Sequence, residues 1–266
     1  MVLDHNASVK SLITALELQR DWGVESVTEN IPWQPLEAPT PILGQRKPER
    51  AKSTQIGSYA GQSSKKASAD VTIEVTDIES LKKYSDHIKD STLAKTATHH
   101  LLPILSDKAR FIIIGEVPDD DEDRSGVLFS GQAGQYLEKI LKSIGLKQSD
   151  ASLIPAMPWR PPGGRPLLPQ ELKVGAEIMQ HSLALSWAQN GALPIITMGT
   201  TALHILFKKP TRITKVRGKW HDITLSASLG QAKLLPTFHP LQLRAGSVVR
   251  KGLWQDMILL AETLGI

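Results

Sequence analysis

The chain has 266 residues, 41% of them hydrophobic, with a net charge of +4 and no cysteine. That length holds one sizeable core plus an appendage, or two small domains. The lack of cysteine excludes disulfides, zinc–thiolate sites and thiolate-bound iron–sulfur clusters, so no metal and no cofactor is expected. The first helix-like stretch carries Lys10, Glu17, Arg20 and Asp21, unlike a signal peptide. No apolar run nears the ~18 residues of a membrane span, which leads to the expectation of a soluble cytoplasmic protein.

In chain order, Val9, Leu12, Ile13, Leu16 and Trp22 recur at helical spacing over 7–22. Residues 31–43 are proline-rich and extended. Residues 44–72 read as a flexible basic linker, with six Lys/Arg against one Glu between 46 and 66. A boundary is drawn there, with 1–43 as an N-terminal extension and 73–266 as the main domain. Beyond it the pattern alternates: a helix over 77–90, a strand at Phe111–Gly115, a helix at Gln132–Ile144, and a strand at Leu153–Ala156. A long helix over 169–189 opens with Pro169 in its first turn. A strand at Pro194–Gly199, a helix over 200–207, a glycine-broken excursion over 211–229 that suits a hairpin, a strand at Leu234–Thr237 and a helix over 248–264 complete it. Strands alternating with helices argue for an α/β fold whose parallel sheet is covered on both faces. Ligands of such sheets sit at the carboxyl ends of the strands.

The chemistry-bearing residues fall at those ends. The first strand runs into G-E-V-P-D-D-D-E-D, where residues 116–123 hold six acids. The second runs into A-M-P-W-R-P-P-G-G-R, a loop stiffened by Pro158, Pro161 and Pro162 and carrying Arg160 and Arg165. The third leads to M-G-T-T at 198–201 and the fourth to P-T-F-H-P at 236–240. The stiff loop fits an anion site, and it fits equally an ordinary Pro–Gly connection with solvated arginines. From 205 to 266 there are ten Lys/Arg against three Asp/Glu, a balance suited to a polyanion.

Taken together, these segments resemble the family 4 uracil-DNA glycosylases, from about residue 78 to 264. G-E-V-P at 115–118 with E-D-R at 122–124, L-F-S-G-Q-A-G at 128–134, P-W-R-P-P-G-G-R-P at 158–166, R-G-K-W-H at 217–221, P-T-F-H-P at 236–240 and K-G-L-W-Q-D at 251–256 follow in the family's order. The resemblance implies a three-layer α/β/α fold with a central four-stranded parallel sheet, preceded here by an N-terminal helical extension. It implies action on uracil-containing DNA, single- or double-stranded, with excision of the base to leave an abasic site; a monomer with no membrane partner is expected. By the same resemblance, His239 stabilises the uracil oxygen, and Glu116 and Glu122 position or activate water. Val117, Phe129 and Pro155 line the base pocket, with Phe129 stacking on the flipped base. Leu241 and Gln242 form the tip inserted where the base left. Arg160, Arg165, Arg244, Arg250 and Lys251 meet phosphates, as do the helix starts at Gly131 and Thr200.

Three positions depart from the family. The cluster cysteines fall on Ile88, Ser91 and Trp159, which resembles a cysteine-free branch without the iron–sulfur cluster. The asparagine that reads the uracil edge is Pro155. The glycine after Glu-x-Pro is Asp119. The last two keep open a catalytically weakened DNA-binding member of the fold, or a glycosylase of altered base specificity.

Overall fold

Phe111–Ile114 (β1), Ala151–Ile154 (β2) and Ile195–Met198 (β3) are buried at every position, as strands covered on both faces must be. The structure, a computed structural model, describes residues 73–88 and 92–266. The expectations for 1–72, namely the first helix, the proline-rich stretch and the linker, lie outside the described residues.

The sheet has the order β2-β1-β3-β5-β4, where β4 is His221–Thr224 and β5 is Gln231–Thr237. β2, β1, β3 and β5 run parallel. β4 pairs antiparallel with β5 through His221↔Leu234 and Thr224↔Gln231. The four-stranded parallel expectation is therefore corrected to five strands, the fifth an antiparallel edge. The hairpin suggested over 211–229 is found further on, between β4 and β5 over 221–237, with a short helix at Ile213–Val216 before it, and β5 begins three residues earlier than expected. β4 is short and only Ile223 of it is buried, so it carries little hydrophobic signal. β2 also shifts, from the expected Leu153–Ala156 to Ala151–Ile154. Pro155 has no N–H to extend the ladder, and the last β2 carbonyl, that of Ile154, accepts from Gly115 N–H at 2.9 Å.

Ile78–His87 (α1), Pro169–Asn190 (α5) and Thr201–Phe207 (α6) form one helical group, in which α5 touches α1, β2 and α6. Gly131–Ser143 (α4) and Ser247–Leu264 (α8) contact each other and the 3-10 turn Pro240–Ala245. Short helices at Thr92–Thr96 (α2), Asp120–Ser125 (α3) and Ile213–Val216 (α7) fill the connections. Among the described residues no helix is long and apolar enough to cross a membrane.

A second apolar cluster lies apart from the sheet core. Leu81, Leu93, Met157, Trp159, Ile178 and Leu185 are buried in it, and Ile88 packs against it. His100 lies 5.1 Å from the Trp159 ring. Its ring nitrogens reach Ser85 Oγ at 3.0 Å and Asp86 Oδ1 at 3.2 Å, so α1 is tied to the same centre. The cluster holds the start of the Pro-Trp-Arg-Pro loop to α1, α2 and α5. Trp159→Ala should therefore lower the unfolding free energy by about 3–5 kcal/mol in urea melts, with Trp159→Phe well below that. A loss under about 1 kcal/mol for the alanine variant would mean the loop is held by other contacts.

Candidate active site

The parallel topology brings the ends of β1, β2, β3 and β5 to one edge. At the end of β1, the Glu116 carboxylate accepts from Thr200 N–H at 2.5 Å and from Thr201 N–H at 2.7 Å. This crosses to the end of β3 and the start of α6. A side chain at Gly199 would begin 1.7 Å from Glu116 Oε2, and Gly199 has φ +115°. Glycine is thus required there twice over, for space and for backbone. Burial raises the Glu116 carboxyl above its ordinary range, against the Thr201 hydroxyl and the two amides.

Asp119 caps α3, accepting from Asp121 and Glu122 N–H, both at 2.9 Å. The Asp-x-x-Glu spacing is a capping box, and Glu122 Oε2 returns to Asp119 N–H at 3.0 Å. Glu122 Oε1 accepts from Phe129 N–H at 2.6 Å. Phe129 stands at φ +51°, a strained conformation for a bulky residue that surrounding contacts must hold. Its carbonyl lies where a side chain at Gly134 would stand, 1.7 Å from the Cβ position. Burial pushes Glu122 up to about 7, against the Phe129 and Asp119 amides and with the Asp119 charge.

The Phe129 ring faces His239 with centroids 6.1 Å apart and planes 19° from parallel. His239 ends the turn after β5. Its Nδ1 accepts from Leu241 N–H at 3.4 Å, which fixes the neutral tautomer with hydrogen on Nε2. Burial pushes its pKa down to about 4, although the Asp119 charge acts the other way. The ring is therefore a neutral donor at physiological pH. Beside this pair lies a cleft of about 520 Å³ lined by Glu116, Val117, Asp119, Arg160, Thr200 and His204, among others. Phe129 and His239 lie outside its lining.

Pro155 is buried at the end of β2. Arg160 is paired with Asp120 at 2.9 Å. Arg165 makes a bidentate pair with Glu171 at 2.7 and 2.8 Å, and Glu171 also caps α5 through Leu168 N–H. The backbone amide expected to meet phosphate at Thr200 is taken by Glu116. At Gly131 the Asp121 carboxylate crowds the helix start, its Oδ2 2.2 Å from where a Cβ would stand, which sets a negative charge where an anion was expected. Gln242 folds back, its amide oxygen accepting from His239 N–H at 2.9 Å. Leu241 packs against the sheet core. Arg244 and Lys251 are exposed and Arg250 is half-buried. The residues missed in the sequence are Thr201, Arg217, Thr237 and Asp256. The last three lie in the segments matched as motifs, but Asp256 accepts from Arg217, 39 residues away, and from the Thr237 hydroxyl, 19 away, bonds that leave no local signal.

The sequence matches the Uracil DNA glycosylase superfamily over residues 102–257. The chain belongs to that superfamily. It is 27% identical to the type-4 uracil-DNA glycosylase of Archaeoglobus fulgidus over 65% of this chain and 86% of that one. It is 32% identical to that of Thermotoga maritima over 49% of this chain and 64% of the relative. For the Saccharolobus solfataricus enzyme the figures are 32%, 59% and 72%.

Glu122 gives the site a pH dependence of known sign. Its folded-state pKa of about 7 lies above the ordinary carboxyl value of 4.5. Its contribution to stability is complete below pH 4.5 and is lost as pH rises through 7. Between pH 5 and 8 this costs on the order of 2–3 kcal/mol. Urea melts across that range should show the fall in the wild type and a smaller one in Glu122→Gln; equal slopes would remove Glu122 as the source.

Proposed function

We propose that this protein hydrolyses the N-glycosidic bond of uracil in DNA, leaving an abasic site for base excision repair. The observation that carries the reading is the Phe129–His239 pair, facing one another on the carboxyl edge of a superfamily fold. A flipped base stacks on Phe129 and meets His239 along its edge. As the bond breaks, its electron pair passes to the base and charge accumulates on the uracil oxygen. The neutral His239 donates Nε2–H to that oxygen, and donors aimed at developing charge give large rate effects. Water then adds to the sugar carbon, and its proton passes by way of Glu116 to the departed uracil anion. Glu116 lines the cleft and is the carboxylate that holds this water, its two amide bonds leaving lone pairs free. Glu122 is buried and does not line the cleft; it holds the Phe129 backbone and shapes the pocket. Arg244, Arg250 and Lys251 form the phosphate-facing rim.

The domain over 73–266 works as a cytoplasmic monomer on DNA and carries no iron–sulfur cluster. The complete lack of cysteine supports this, as does the apolar packing of Ile88, Leu93 and Trp159. These residues do not fit the group, and no step depends on it.

Pro155 offers the base an apolar wall and no hydrogen bond. A paired contact of the kind lost here carries ~1–3 kcal/mol of discrimination, so the margin for uracil is narrower than such a contact would give, while uracil remains the base excised. Oligonucleotides with one uracil, single- and double-stranded, incubated with EDTA and then alkali, should break at uracil alone. His239→Ala should lower the rate ~10²–10³-fold while DNA binding persists. Binding without breaks would replace this reading with a DNA-binding member of the fold, and breaks at hypoxanthine would show an altered base choice.

A further inference from the structure

The two residues before His239 are both held by one buried ion pair. Asp256, fully buried in α8, accepts from Arg217 Nη2 at 2.7 Å and from Nε at 3.0 Å. Asp256 Oδ2 also accepts from the hydroxyl of Thr237, the last residue of β5, at 2.7 Å. The Arg217 guanidinium lies over the ring of Phe238, 5.4 Å from its centroid, and Nη2 donates to the Gly252 carbonyl. Gly252 makes room for this: a side chain there would begin 3.0 Å from both Arg217 Cζ and Phe238 Cε2. Thr237 is thus fixed through Asp256 and Phe238 through Arg217, and His239 follows in the chain. Three segments distant in sequence, at 217, 237–238 and 252–256, meet at the root of the histidine turn, and none of them lines the cleft.

We infer that Arg217, Asp256 and Thr237 are positioning residues that set the direction in which His239 leaves β5, and so the aim of Nε2–H. This rests on the glycosylase reading for its rate consequence, though not for its geometry. The pair is planar and bidentate, so it defines orientation as well as distance. Gln242 ties the His239 backbone from downstream, its side chain accepting from His239 N–H at 2.9 Å and its own N–H donating to the His239 carbonyl at 2.8 Å, while the ring itself has only the long 3.4 Å contact with Leu241 N–H. The direction in which this closed turn leaves β5 is set by the two residues before it.

The test is a double-mutant cycle of Thr237→Val, which removes only the hydroxyl, with His239→Ala. Single-turnover uracil excision is read alongside the ¹⁵N shifts of the His239 ring and thermal melting. We expect Thr237→Val to lower the rate ~10-fold or more in the parent, and to change it by less than about twofold in the His239→Ala background. The ring nitrogens should shift toward a mixture of tautomers, with KM little changed. Equal losses in both backgrounds, or unchanged nitrogen shifts, would make the network purely structural and overturn the inference. If His239→Ala leaves no measurable rate, the nitrogen shifts decide. Should Thr237→Val fail to fold, Arg217→Lys, which keeps the charge and loses the fork, enters the same cycle. A parent that excises no uracil defeats the functional reading alone, since the ring spectrum still tests the geometry.

Discussion

The hydrogen bonds from Thr200 and Thr201 N–H to Glu116 join the ends of β1 and β3, and the site is built around that joint. A parallel sheet collects the carboxyl ends of its strands on one edge, where each chain must leave without a ladder partner. A carboxylate at that place is costly to bury and is accepted only with donors on it. The first turn of α6 supplies two. Gly199, bare of side chain, lets the carboxylate approach. The same bonds close the wall of the cleft, so the fold's need for satisfied polar groups is met at the place where the cleft forms.

The six acids of 116–123 show how far such economy goes. As composition, they look hostile to a polyanion. In the structure Asp119 caps α3, and Asp120 pairs with Arg160. Glu122 holds Phe129, and Asp123 accepts from Thr98 N–H and from the Thr98 hydroxyl. Most of the run is spent on local donors. The strained backbone of Phe129 shows why: at φ +51° its N–H is held by Glu122, and its carbonyl occupies the space that Gly134 leaves bare.

What the sequence disclosed follows from periodicity and order. The strands β1 and β3 were visible because double-sided burial leaves unbroken runs such as F-I-I-I. The helices were placed by caps and spacing. His239, Phe129 and Glu116 were found by resemblance, and the fold does set them on one edge. The misses have a common cause, since they concern partners chosen at long range. Arg165 is a free cation on paper, yet Glu171 at the head of α5 claims it. Thr200 offers an amide to an anion, and the anion that takes it is Glu116. The Arg217–Asp256 pair depends on α8 folding back over β5. β4 was blurred because an edge strand with a single buried residue leaves almost no hydrophobic trace.

The apolar cluster around Trp159 performs a task that a covalent or metal tie would do differently. It brings α1, α2 and α5 against the loop after β2, joining segments about seventy residues apart. Hydrophobic contact is non-directional. It fixes where Trp159 goes and says little about the shape of the chain that follows. That shape is supplied separately. Pro158, Pro161 and Pro162 restrict φ on both sides of Arg160, and Arg165 is clamped by Glu171 at the far end. Burial anchors the loop at one end, an ion pair anchors it at the other, and proline stiffens the span between. A loop so held can present one wall of the cleft in a fixed position, and it places Arg160 beside Asp120 in the cleft that Glu116 also lines.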